Sequence, residues 1–187
     1  MLYLRNICTA FVLIPKNAST SIRESLNGEI LTGPNDVQHI GISTAIENGL
    51  LTINNRFIGV IRNPIERQLS MYLYRQRQKR YSEKLSIEDF RNKIKLGAIN
   101  DHLWQMQLQS SFMEYNKEII GELWLYEEVN ERFKEFGTLK VKNKSFSGNT
   151  KDFIDIFYDK PTLKAVESYW RKDIELYNAL RESRNRN

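Results

Sequence analysis

Cysteine is almost absent from this chain: Cys8 is the only one in 187 residues. An internal disulfide is therefore excluded, and a reducing compartment suits the composition. Cys8 falls in an apolar run and reads as a small buried hydrophobe. Histidine is scarce too, with only His39 and His102. Two histidines and one cysteine, far apart, make no zinc pattern, and no metal is expected. No apolar run approaches the ~20 residues of a membrane span. Arg5 and Asn6 interrupt the amino terminus before a signal-peptide core could form, so a soluble, cytoplasmic protein without membrane contacts is expected. The glycine-rich phosphate loop G-x-x-x-x-G-K-[ST] is missing, which excludes the standard ATPase site. No G-x-S-x-G elbow surrounds the serines at 19 and 21, so a serine nucleophile is not indicated. Repeats, low-complexity tracts and linkers are also missing, and residues 1–187 read as one domain.

What is present is ordinary globular material, 41% hydrophobic and 27% charged, with a formal net charge of +5. That surplus attracts anions of many kinds, nucleic acid included, and decides little by itself. Its cations cluster at Arg75, Arg77, Lys79 and Arg80, and again at Lys140, Lys142 and Lys144. The first cluster is equally well explained as a solvated helix face.

Hydrophobic periodicity alternates strands with helices. Ile7 to Ile14 reads as a strand, Ser19 to Leu26 as a helix, and Glu29 to Thr32 as a short strand. Gly33-Pro34-Asn35-Asp36 is a turn, and Ser43 to Leu50 is a short helix closed by Asn48-Gly49. Phe57 to Ile61 is a buried strand, and Pro64 to Arg80 a helix. Asn63 is its N-cap, and Glu66 completes a capping-box spacing. Ser86 and Asp89 open another helix. Ile99 to Tyr115 reads as helix, Glu122 to Tyr126 as strand, and the stretch from there to Phe136 as helix. Thr162 to Arg181 is one helix with Leu163, Val166, Trp170, Ile174, Tyr177 and Leu180 on a stripe, followed by a frayed tail. This alternation predicts an α/β fold with a mostly parallel central sheet flanked by helices.

Two strand–turn–helix segments carry the chemistry. In the first, an apolar strand runs into Pro15-Lys16-Asn17-Ala18-Ser19-Thr20-Ser21. The first turn of a helix offers N–H groups without intrahelical partners, and its dipole favours negative charge. Lys16 adds a full charge and the hydroxyls add donors, so the turn suits a phosphate-like anion. In the second segment, Arg62 follows the strand Phe57 to Ile61, where ligands bind in open α/β sheets. Its planar fork matches phosphate oxygens. Ser70 lies about two turns into the helix that follows, on the stripe of Asn63 and Arg67.

Together the two segments resemble the sulfotransferases that use 3′-phosphoadenosine 5′-phosphosulfate (PAPS), and their P-loop-kinase-like fold is what that resemblance implies. The first is similar to the family's 5′-phosphosulfate loop, P-K-[TA]-[AG]-[ST]-[TS]-[SW]. The second is similar to its 3′-phosphate motif, R-[ND]-P-x-[ED]-R-x-x-S, here Arg62-Asn63-Pro64-Ile65-Glu66-Arg67-Gln68-Leu69-Ser70. The nearest likeness is to the carbohydrate branch of heparan and uronyl 2-O-sulfotransferases. It continues more weakly through Leu103-Trp104, Leu125 to Val129 and the final helix. The main departure is Asn17, where the family has a hydroxyl; an amide can still donate to phosphate.

The resemblance implies that Pro15 to Ser21, Arg62 and Ser70 hold PAPS and its product, 3′-phosphoadenosine 5′-phosphate (PAP). It also implies that Lys142, Lys144 and Ser145 lie in a loop closing over the nucleotide. Lys16 is placed to neutralise charge on the leaving phosphate. His39 lies in the interval where the resembling enzymes carry a catalytic histidine, and an imidazole suits general-base work near neutral pH. His102 reads as a structural or substrate-rim residue, and Glu24 and Glu66 are alternative bases. The implied partner is a saccharide acceptor, anionic in view of the net charge. A nucleotide-dependent phosphotransferase is one alternative, and a non-catalytic anion or nucleic-acid binder another. The first wants a triphosphate loop that is missing, and the second leaves the paired motifs unexplained.

Overall fold

The structure, a computed structural model, describes residues 1–33, 39–77, 85–96, 107–140 and 150–186, with side chains from 154 onward in the last stretch. Strands β1 (Leu2–Leu4) and β2 (Thr9–Val12) are joined by a tight helical turn over Arg5–Ile7. Helix α1 (Ser19–Ser25), strand β3 (Glu29–Ile30), helix α2 (Ile42–Glu47), strand β4 (Arg56–Ile61) and helix α3 (Pro64–Arg77) follow. Next come α4 (Ile87–Lys95), α5 (Gln109–Phe112), a small hairpin of β5 (Glu114–Tyr115) and β6 (Glu118–Ile119), and strand β7 (Glu122–Leu125). Helices α6 (Val129–Arg132), α7 (Thr150–Phe157), α8 (Lys160–Tyr169) and α9 (Arg171–Asn185) complete the described chain.

Five strands form the main sheet in the order β3-β1-β2-β4-β7. Its heart is parallel, β2 beside β4 and β4 beside β7, whereas β1 pairs antiparallel with β2 and β3 at one edge. Side chains alternate across this sheet as a two-residue period requires. Ala10, Val12, Phe57 and Ile61 face α2, the end of α5 and α9, with Ile42, Ala45, Met113 and Tyr177 in contact. Phe11, Leu13, Ile58, Val60 and Trp124 face α1 and the α6 region, against Ile22, Val129 and Phe133. Helices thus cover both faces. Phe11 is the hub of the second layer: its ring meets Phe136 edge-on at 5.0 Å and Trp124 at 5.9 Å. Such contacts add about 0.5–1.5 kcal/mol each to the area they bury. A third core, set among α3, α4, α7 and α8, holds Tyr72, Phe90, Phe157 and Trp170.

The register decides where a ligand can sit. Val12 lies opposite Gly59, and Ile61 opposite Leu125. The chain therefore leaves β2, β4 and β7 at one edge, which gathers Lys16, Arg62 and Tyr126. Gly59 makes a further approach possible: a Cβ there would stand 2.3 Å from the Met113 sulfur. Its absence lets the end of α5 lie directly on the central strand.

Several expectations are corrected. The strand expected from Ile7 begins only at Thr9, because Leu2–Leu4 is itself a strand and residues 5–8 make the hairpin turn. Cys8 ends that turn at φ 49 and is exposed, not buried. The expected helix from Thr162 to Arg181 is two helices, broken at Trp170 (φ −107, ψ 24). Its stripe survives the break, since Val166, Trp170 and Tyr177 are all buried. The tail expected to fray from Arg184 continues the helix to Asn185. Of the helix expected over 99–115, residues from 107 form only α5 and the start of a hairpin. The capping box at Ser86 and Asp89 is present. At α3, Asn63 Oδ1 accepts from Ile65 N at 3.0 Å, but the Glu66 carboxylate turns to Arg62 rather than back to the cap. Among the described residues no helix is long and apolar enough to cross a membrane, and no group of three or more His, Cys, Asp or Glu could hold a metal.

Candidate functional site

The turn after β2 is an unusual piece of backbone. Lys16 and Ala18 both adopt left-handed conformations, at φ 69 and φ 61. Neither is glycine, so each carries a steric cost that surrounding structure must offset. Ala18 is also the N-cap of α1 and has no polar side chain to cap it. Ser19 and Thr20 are half-buried beside it, and Ser21 is 5% exposed. Pro15 is buried, its carbonyl accepting from Arg67 Nε at 3.1 Å.

Lys16 points its ammonium at an aromatic ring rather than a carboxylate, with Nζ 4.0 Å from the centre of Tyr74 on α3. Burial, and after it the Arg62 and Arg77 guanidiniums, lower its pKa to about 8. Arg62 lies over the Tyr126 ring at 4.5 Å and reaches Glu66 at 3.5 Å. Lys16 thus feels both Arg62 and Arg77, and a concentration of positive charge at the ends of these strands favours an incoming anion. Arg77, equally well read from sequence as a solvated charge, is felt by Lys16. Helix α3 makes this possible: at 1.5 Å per residue, Pro64 and Tyr74 lie about 15 Å apart, so one helix borders both turns.

His39 sits at the base of the first turn, with Nδ1 2.5 Å from the carbonyl oxygen of Leu13. A carbonyl can only accept, so the neutral ring carries its proton on Nδ1 and a lone pair on Nε2. Burial holds its pKa below the ordinary value against the opposing pull of that bond, and the positive charges of the amino terminus and Arg23 add to the lowering.

No family model, curated protein or solved structure matches this chain. Its site is therefore described by its own residues. The structure brings Lys16, Ser19, Thr20 and Arg62 to one edge, and His39 is bonded to Leu13, just ahead of the same loop. Ser70 is 3% exposed on α3, facing the interior. Lys142, Lys144, Ser145 and His102, like Lys79 and Arg80, lie outside the described residues. Lys140, just ahead of that basic segment, donates its N–H to Ser25 Oγ at 2.7 Å, at the C-terminal end of α1. Glu24 is exposed on α1.

Asn17 behaves differently from the expectation that it donates to an anion. It is 2% exposed, and its amide nitrogen lies 2.7 Å from the Val60 carbonyl and 2.5 Å from Gln109 Oε1. Both amide hydrogens are therefore used inside the protein. Gln109, Arg67, Asp173, Tyr74 and Tyr126 are the site's unforeseen members. Arg67 stood in the second motif, Tyr74 in the tyrosine-rich helix that continues it and Tyr126 in the weaker stretch Leu125 to Val129, none of them with a role assigned; the Arg67 guanidinium serves the Pro15 carbonyl and the Gln107 carbonyl, the latter at 2.9 Å. Gln109 and Asp173 come from separate parts of the chain, and nothing in their local patterns announces them.

Proposed function

We propose that the chain is a PAPS-dependent O-sulfotransferase whose acceptor is a carbohydrate hydroxyl. One observation carries the reading: the Lys16 ammonium and the Arg62 guanidinium stand on turns at the ends of adjacent parallel strands, close enough to depress Lys16 electrostatically. A nucleotide with phosphate at both its 5′ and 3′ positions has one anionic group for each turn, and the residues present suit it. Lys16, the N–H groups of the first turn, Ser19 and Thr20 would hold the 5′ end, and Arg62 the 3′-phosphate. Ser21 and Ser70 are buried and would serve only oxygens that reach inside.

When bound, PAPS supplies an activated sulfuryl group, transferred by in-line attack of the acceptor oxygen as the sulfur bond to the 5′-phosphate breaks. The chain's own part is to hold, neutralise and deprotonate. Lys16 neutralises charge on the departing phosphate, and burial makes that charge count for more than it would in water. His39 offers Nε2 to the acceptor's proton.

Calorimetric titration with PAP beside ATP, with and without magnesium, tests the reading. PAP is expected to bind without metal and more tightly than ATP. Lys16→Ala should lower turnover by about two orders of magnitude with a smaller effect on affinity, since its charge matters most as the leaving group develops. Arg62→Ala should mainly weaken nucleotide binding through a lost bidentate contact. Equal affinity for ATP and PAP, or strict magnesium dependence, sinks the assignment.

The cations at the ends of these strands also suggest an anionic saccharide. Its Michaelis constant should rise with salt, because screening shortens to about 3 Å at molar ionic strength and Arg77 is exposed. A flat salt series would point to a neutral acceptor instead.

A further inference from the structure

We propose that Gln109 is a positioning residue that sets the spacing between the two anion turns and so selects a ligand with phosphate at both ends; this rests on the sulfotransferase reading above. Its amide brackets the backbone of Arg62 as a neighbouring strand would. Gln109 Oε1 accepts from Arg62 N at 2.9 Å, and Gln109 Nε2 donates to Arg62 O at 2.8 Å. The same oxygen takes the hydrogen bond from Asn17. Gln109 therefore ties the first turn to the second through one side chain, itself 0% exposed.

The position of Asn17 gives the tie its purpose. Asn17 lies between Lys16 and Ala18, the two residues in left-handed conformations. A turn with that backbone cost keeps its shape only if something outside it holds on. Asn17 is held by Val60 of β4 and by Gln109. Gln109 is anchored in turn, because its own N–H and that of Ser110 donate to the Asp173 carboxylate at 2.7 and 2.9 Å. Asp173 is 0% exposed on α9. Bonds in such a dry environment are stiff, and cutting one leaves buried polar groups unmatched.

A ligand that spans both turns gains from this fixed spacing, because it does not have to order the turns when it binds. A ligand that uses one turn gains nothing from it. Cutting the tie should therefore harm a bisphosphate and spare a monophosphate, whereas general loosening would harm both.

The experiment is calorimetric titration of wild type, Gln109→Leu and Asn17→Ala with PAP, 5′-AMP and 3′-AMP, with circular dichroism to confirm folding. Wild type is expected to prefer PAP over either monophosphate. Gln109→Leu should weaken PAP by about tenfold or more and each monophosphate by less than about twofold. Asn17→Ala cuts only the loop side of the tie and should show the same selectivity with a smaller loss; it carries the test if Gln109→Leu fails to fold. A wild-type preference for PAP that survives intact in a folded variant overturns the role of Gln109 alone. Equal losses across the three ligands also overturn it. A wild type with no preference for PAP overturns the sulfotransferase reading and the spacing role with it.

Discussion

His39→Ala is expected to lower turnover by roughly two to four orders of magnitude while leaving PAP affinity nearly unchanged. The Leu13 carbonyl holds the Nδ1 proton, which leaves Nε2 as the basic atom. The imidazole must be neutral to accept a proton, and burial pushes its pKa below the ordinary value. The acid limb of kcat/KM should therefore rise through a pKa below the ~6.5 of a free histidine. The alkaline limb belongs to Lys16, which loses its charge through about 8 in the unliganded protein. A bell between those limits is the expected profile, and Lys16→Ala should erase its alkaline side. Retained PAP binding is the control against misfolding. Near-normal turnover in His39→Ala would move the base elsewhere, with Glu66 and Glu24 next to be replaced.

The largest expected effect on stability is at Asp173. Asp173→Ala should cost about 2–5 kcal/mol, since two buried N–H donors lose a charged acceptor at about 1–3 kcal/mol each. Burial lowers the Arg67 pKa to about 10, and the Asp173 charge is what opposes that shift. The substitution removes that charge and strands the N–H groups of Gln109 and Ser110 together. Asp173→Asn keeps an acceptor oxygen and should lose about half as much. Pairing Asp173→Ala with Arg67→Met should recover part of the loss, because the uncompensated charge is gone. Urea unfolding midpoints at constant slope measure all four proteins. A loss below about 1 kcal/mol in Asp173→Ala would show that the carboxylate contributes little to holding Arg67.

Where a feature depended on neighbours in the chain, it was legible in the residues alone. The strand from Phe57 to Ile61, the helix after Pro64, the cap at Ser86 and the turn before Ser19 are written in local chemistry: apolar runs, a proline at a helix start, a side-chain oxygen three residues ahead of an N–H. So was the alternation of strands and helices, and with it the parallel heart of the sheet. The break at Trp170 was hidden because the apolar stripe continues across it, and a periodic pattern does not mark a change of axis. Leu2–Leu4 was hidden because three residues are too few to establish a period.

The site itself divides along the same line. Lys16, Ser19, Thr20 and Arg62 could be picked out from their own segments, since each stands where a strand hands over to a helix. What they form together was decided by tertiary structure. The β2–β4 register put two turns at one edge, and the aromatic faces of Tyr74 and Tyr126 met the cations there. Asn17 is the clearest case. By residue type it was a donor for an anion, yet Gln109, 92 positions away, and Val60, 43 away, take both its hydrogens. Sequence shows which groups a residue can offer. Which partner takes them is settled only when the packed core brings distant acceptors within hydrogen-bond range and excludes the water that would otherwise compete.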